Sequence, residues 1–269
     1  MFSSKLTKSA GHYHKVVSKG DKIFLRNISL SFINNKMSDW RTEKRKFLSM
    51  GTEEKRKFYK SSQQLEEIPT WKEYAKGKKL LPKIDLLSGH KIDPSKNAVL
   101  SDKISYFSGD ITCLEIDAIV NAANESLQGG GGVDGAIHRA AGKMLKEECI
   151  TLGGCSTGEA KITGGYKLPA KYVIHTVGPI GEKPDKLKNC YSNSLKVMLE
   201  NNLKSVAFPC ISTGVYRYPN LAAAHVAAYA VRQHLESNTE AVDRVIFCLF
   251  MDEDKKIYEQ LLQSYFPLE

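Results

Sequence analysis

Two stretches of this 269-residue chain carry side chains whose types and spacing could do chemistry. In NAANESLQGGGGVDGAIH, four consecutive glycines, Gly129 to Gly132, run straight into Asp134 and His138. Glycine lets backbone N–H groups approach an anion with no Cβ in the way, and a helix N-terminus just beyond adds a favourable dipole. The run is a candidate phosphate loop, or simply a flexible one. Asp134 and His138 are spaced i, i+4, so a helix would set both on one face. That places a carboxylate and an imidazole together just past the glycines. Each also has a plainer explanation. An acid in a first helical turn gains from the dipole, and a lone helical His often packs or faces solvent. Asn121 and Asn124 either cap the turn they enter or reach into a site. The second stretch, CISTGVYRY, supplies Ser212, Thr213, Gly214, Val215 and Tyr216, combining hydroxyls, a glycine and an aromatic ring. Two such loops could clasp a diphosphate from opposite sides, although neither matches GxxxxGK[ST] or GxGxxG.

Loops of this kind work only if strands hold them in place. KISYFSG reads as a period-2 strand, and DAIVNA, KYVIHTV, KSVAFP and RVIFCLF as short apolar strands. VDGAIHRAAGKMLKEECITLGG places Val133, Ile137, Ala141, Met144 and Cys149 at roughly helical spacing and ends at glycines. PDKLKNCYSNSLKVMLENN is an amphipathic helix opening with Pro184, and further helices start near Asn220 and Asp252. Apolar strands separated by helices predict a three-layer α/β/α sandwich around a mixed, mostly parallel sheet. Ligands of such sheets collect beyond the carboxyl ends of the strands, where GDI, the NAAN–glycine loop and CISTGVYRY all fall.

Charge separates the N-terminal third from the rest. Residues 1–100 hold 22 Lys and Arg against 10 Asp and Glu, a net +12, whereas the remainder holds 17 against 20, a net −3. The basic residues interleave with Glu on helical patterns, so they read as a solvated face, and nucleic acid is not an expected partner. Residues 1–36 begin with a basic, Ser-rich, acid-poor stretch. That composition fits a mitochondrial transit peptide, with a disordered basic tail on a cytoplasmic or nuclear protein as the alternative. Residues 37–98 read as a helical extension and linker, with SDWRTEKRKFLS and TEEKRKFYK opening on cap-then-acid patterns. Residues 99–269 form the alternating α/β domain. Six cysteines without CxxC pairing suggest a reducing compartment, with neither a disulfide framework nor a zinc site. No apolar run approaches the roughly 20 residues of a membrane span.

Taken together, GDIT at 109–112, DAIVNAANESLQGGGGVDGAIHRAAG at 117–142, AKITGGYKLPAKYVIHTVGP at 160–179 and VAFPCISTGVYRYP at 206–219 closely resemble the MacroD-type macrodomain ADP-ribose hydrolases. The likeness runs in order through nearly all of residues 100–269. It implies that Asp110, with Ile111 beside it, binds adenine. Gly130, Gly131, Gly132 and Val133 would hold the phosphates and proximal ribose, and Ser212 to Tyr216 would close from the other side. Phe250 would pack near the distal ribose or adenine, or remain a core aromatic. Asn124 would hydrogen-bond the distal ribose. Asp134 would orient or deprotonate a water with help from the substrate phosphate, and His138 would support it. The resemblance implies removal of mono-ADP-ribosyl groups from aspartate and glutamate side chains, and deacetylation of O-acetyl-ADP-ribose. Partners would be mono-ADP-ribosylated proteins, ADP-ribose and O-acetyl-ADP-ribose. No cofactor and no metal are expected, and the chain is expected to act as a monomer. A non-catalytic ADP-ribose reader is the alternative, and the trio Asn124, Asp134 and His138 favours the enzyme. One departure stands out. The family's usual Tyr-Gly-aromatic-Pro here reads Tyr216-Arg217-Tyr218-Pro219, which puts the geometry of that loop in question.

Overall fold

The computed structural model describes residues 39–269, so the segment read at 1–36 lies outside the described residues. Four helices come first, α1 (Trp40–Ser49), α2 (Thr52–Lys55), α3 (Trp71–Ala75) and α4 (Asn97–Ser101). A short parallel pairing joins β1 (Gln63–Gln64) to β3 (Leu114–Glu115). The main sheet contains β2 (Ile104–Ser108), β4 (Ala118–Ala123), β5 (Ala160–Gly164), β6 (Tyr172–Val177), β7 (Ser205–Phe208) and β8 (Arg244–Leu249). Its spatial order is β2-β8-β7-β4-β6-β5, and every neighbouring pair is parallel except β5 with β6.

Helices cover both faces, which explains why the parallel strands are apolar almost throughout. Along β4 the side chains alternate between two cores. Ala118 and Val120 join the core formed by α7 (Pro184–Glu200), α8 (Asn220–Ser237) and α9 (Asp252–Tyr265). Ile119 and Ala123 join the core formed by α5 (Gly132–Ala141), α6 (Lys143–Thr151) and Phe47 of α1. The sandwich is the three-layer architecture expected.

Two local features differ from the expected elements. The single helix expected from Val133 onward is two, because Gly142 takes φ 84°, ψ 179° between α5 and α6. A side chain at that φ is strained, whereas glycine adopts it readily. The edge strand β5 was not among the expected strands. It pairs on one side only, and its first three residues are half-exposed, so it lacks an apolar run.

The early helices are fastened to the sandwich at several points. Thr70 and Glu73 form a capping box that starts α3, and the fully buried Trp71 donates from Nε1 to the Phe266 carbonyl at 3.0 Å. Lys44 of α1 pairs with the buried Glu148 at 2.7 Å, and Tyr166 donates to the other Glu148 oxygen at 2.7 Å. Arg56 grips Glu115 through Nε at 3.1 Å and Nη2 at 2.9 Å. No helix among the described residues is long and apolar enough to cross a membrane.

Candidate active site

From β4 the chain passes to β6 on one side and later to β7 on the other, so the strand order reverses beside β4. A crevice at such a switch point is where open α/β sheets bind ligands. A cleft of about 700 Å³ lies there, walled by the segments that follow β2, β4, β7 and β8. Asp110, Ile111, Asn124, Gly130 to Asp134, Ser212 to Tyr216 and Phe250 all line it. The sequence-predicted binding residues, scattered over 141 positions from Asp110 to Phe250, thus meet around one space.

Each wall has its own local cause. After β2, Asp110 caps a helical turn by accepting from Thr112 N at 2.9 Å and Thr112 Oγ1 at 2.8 Å, with Ile111 buried behind it. After β4, Asn124 both shapes its loop and lines the cleft, so the two readings of this residue are compatible. Its Nδ2 donates to Gly129 O at 3.0 Å, while its Oδ1 accepts from Ser126 N and Oγ at 3.0 and 2.6 Å. The glycine run then delivers the chain to α5, where Asp134 occupies the first turn.

Asp134 is 3% exposed, yet it reaches the cleft wall. The fully buried Asn121 donates from Nδ2 to Asp134 Oδ1 at 2.8 Å. A buried carboxylate held by a fixed donor is one whose orientation is set before substrate arrives. His138 stands behind Asp134 and is not part of the wall. Its Nε2 is 3.4 Å from Asp134 Oδ1, without the geometry of a hydrogen bond. Its ring packs under Gly129, where an added Cβ would lie 3.3 Å away. Burial lowers the His138 pKa, and the neighbouring Asp134 works against that shift.

The facing loop after β7 is bent through two left-handed residues, Ser212 at φ 69° and Arg217 at φ 54°. Tyr218 N donates to Ser212 O at 3.0 Å and Arg217 N to Gly214 O at 3.0 Å, so Arg217 fits the turn with its side chain exposed. Ser212 Oγ is buried on the cleft wall with no hydrogen-bond partner among the described residues. Gly178 makes room for it, since a Cβ there would lie 2.1 Å from that oxygen. A left-handed non-glycine residue whose buried hydroxyl is left unpaired beside a cleft is a mark of a functional position. Val215 at the loop tip is 86% exposed, and Phe250 is 77% exposed. Phe250 is therefore a cleft-rim aromatic and not part of the core.

Several wall residues went unread in the sequence. Cys210 and Cys248 sit in apolar runs and pass for core thiols, but both border the cleft, with pKa values raised by burial. Asp254 also reaches the wall from α9, where it accepts from Asn220 Nδ2 at 2.9 Å. Only the opening acidic turn of that helix hinted at it.

The Macro domain family profile matches residues 120–227. The chain is 51% identical over 243 residues to the mouse ADP-ribose glycohydrolase MACROD2, covering 88% of this chain and 50% of that protein. It thus spans about half the length of that relative. Rat ADP-ribose glycohydrolase MACROD1 is 51% identical over 241 residues, covering 86% of this chain and 90% of that protein. Among solved structures, the Trypanosoma brucei macrodomain in complex with ADP-ribose is similar, with a TM-score of 0.67 and 36% identity. That likeness covers 92% of this chain and 91% of the trypanosome chain.

Proposed function

Because the chain belongs to the macrodomain family, among the relatives of MACROD1 and MACROD2, we propose that it binds ADP-ribose and hydrolyses esters of its distal ribose. The substrates are proteins carrying mono-ADP-ribosyl groups on aspartate or glutamate, and O-acetyl-ADP-ribose. The glycine wall before α5 and the Ser212–Tyr216 loop take the diphosphate from its two sides through backbone N–H groups and the Ser212 hydroxyl. Asp110 and Ile111 take the adenine, with Phe250 at the rim, and Asn124 takes the distal ribose. Cleavage adds water across the ester, giving the ribose hydroxyl and the carboxylic acid. Asp134 orients that water or accepts its proton.

The observation that carries this reading is the position of Asp134. It lines the cleft beside the glycine wall, with Oδ1 bound by Asn121 and Oδ2 next to Gly130. An ester at an anomeric carbon has a good leaving group, so a positioned water supplies much of the rate. A general base adds roughly 10²–10⁴-fold. No step requires a metal or cofactor. A mitochondrial site of action rests on the composition of residues 1–36 alone.

The test is release of ADP-ribose from a glutamate-linked, automodified protein by wild type and by Asp134→Ala. Wild type should release ADP-ribose. Asp134→Ala should bind ADP-ribose with nearly unchanged affinity and lose about 10²-fold or more in turnover. Tight binding by wild type without release would leave the reader function standing and remove the enzyme. Full activity in Asp134→Ala would remove the catalytic assignment.

A further inference from the structure

We propose that His175 is a positioning residue for the Asp134 carboxylate, acting through Asn121 and fixed in one tautomer by Thr163. This inference rests on the catalytic reading of Asp134. The three intermediaries occupy neighbouring strands. Asn121 on β4 is the register partner of His175 on β6, and Thr163 on β5 pairs with Val173, two residues before His175. All three are fully buried. Asn121 Nδ2 lies 2.8 Å from Asp134 Oδ1 and 3.1 Å from His175 Nδ1. His175 Nε2 lies 2.8 Å from Thr163 Oγ1, which in turn lies 3.5 Å from the Val173 carbonyl oxygen.

The polarity of this row has one solution. Its two ends, the Asp134 carboxylate and the Val173 carbonyl, only accept. Thr163 must therefore donate to Val173 and accept from His175 Nε2–H. His175 Nδ1 must then be bare, and it accepts one hydrogen of the Asn121 amide. The other amide hydrogen goes to Asp134. Turning the Asn121 amide over would set its oxygen against the carboxylate. Protonating His175 Nδ1 would set donor against donor, and burial with the nearby His138 holds this imidazole down to a pKa of about 3. The amide is thus gripped at both hydrogens, which fixes Asp134 Oδ1 and leaves Oδ2 on the Gly130 side, towards the cleft.

The same neighbourhood brings ligand atoms of His138, Cys149 and His175 within 4.8 Å of one another, a convergence that no sequence spacing shows. Metal binding there competes with the row. His175 has no lone pair left once Nε2–H serves Thr163 and Nδ1 serves Asn121, and burial pushes the Cys149 thiol up to about 12.

The experiment compares wild type with His175→Leu, His175→Asn and Thr163→Val. It measures kcat and KM for ADP-ribose release from the glutamate-linked protein, and ADP-ribose binding stoichiometry by calorimetry. Turnover is expressed per binding site, so a misfolded fraction cannot pass for a slow enzyme. His175→Leu should lower kcat roughly tenfold to a hundredfold, with KM and ADP-ribose affinity within about twofold. His175→Asn restores an acceptor near the position of Nδ1 and should recover most of that loss. Thr163→Val keeps its shape but drops the acceptor for Nε2–H, and should lower kcat severalfold. An unchanged kcat per site in His175→Leu, or His175→Asn as slow as His175→Leu, overturns the proposal. If His175→Leu does not fold, Thr163→Val decides, and full turnover there overturns it. Asp134→Ala inactive beside a fully active His175→Leu defeats this inference alone. An active Asp134→Ala defeats the catalytic reading and takes this one with it.

Discussion

Gly130 lies so close to Asp134 that a methyl group on it would stand 3.1 Å from Asp134 Oδ2 and 3.2 Å from Asn124 Nδ2. The glycine run thus does more than open a path for phosphate. At this position the missing Cβ also leaves room for the carboxylate that is proposed to handle water.

Gly130→Ala should therefore act on catalysis more than on folding. Its φ is not in the left-handed region, so alanine brings no backbone strain there. The added methyl presses on Asp134 and Asn124, and kcat should fall about tenfold or more, equivalent to about 1.4 kcal/mol in the barrier. Gly131→Ala is the comparison, because no protein atom lies within 4 Å of a Cβ at that position, so its methyl can meet only the bound diphosphate and should raise KM while kcat is kept. Steady-state kinetics on the glutamate-linked protein separates them. Equal losses of kcat in both variants would show that crowding of Asp134 is not the cause.

Ser212 carries a strain that binding should repay. A left-handed backbone costs a non-glycine residue roughly 1–2 kcal/mol, and its buried hydroxyl has no partner among the described residues. Ser212→Gly relieves both, offset in part by the added freedom of the unfolded chain. Thermal unfolding should show a variant as stable as wild type or more so. Calorimetry should show ADP-ribose binding weakened about tenfold to a hundredfold, the worth of about one hydrogen bond to a charged group. Undiminished binding would remove Ser212 from the phosphate wall.

Much of this site was legible because its parts are contiguous in the chain. The run from Asn121 to His138 keeps glycines, amides and carboxylate within one strand–loop–helix unit, and the apolar strands either side announce a covered sheet. What stayed hidden depends on pairing between strands. His175 sits inside KYVIHTV and reads as an ordinary strand residue, and only the β4–β6 register sets it against Asn121. Cys210, Cys248 and Asp254 reach the cleft for the same reason, each from a different strand end or helix. His138 shares a helical face with Asp134 as its spacing predicts. Its position behind the carboxylate follows from how α5 rolls against Gly129, which spacing does not encode.

The fastening of the early helices has its own pH signature, centred on Lys55. Its Nζ donates to the carbonyls of Pro169 and Ala170 at 3.1 and 3.0 Å from a buried position. Burial first, and then the neighbouring Lys171, lower its pKa from 10.5 to about 8, with Glu115 opposing. Between those values the unfolded chain holds a proton that the folded chain has released, so stability rises with pH across the interval. Below pH 8 both states are protonated and the cost of the buried charge is fully present. From about pH 10 the trend is countered by Tyr59 and Tyr265, both pushed up to about 12, which keep protons in the fold that the unfolded chain loses. Lys55→Met removes the titrating group while keeping most of its length. Urea unfolding of wild type and Lys55→Met at pH 7.5 and 9.5 isolates it. The stability difference should move in favour of wild type by on the order of 1–2 kcal/mol between the two pH values, given about 1.4 kcal/mol per pH unit for one proton. A difference that stays flat would mean that the Lys55 amine is hydrated in the folded protein, and that the α2 anchor to Pro169 and Ala170 is looser than these hydrogen bonds indicate.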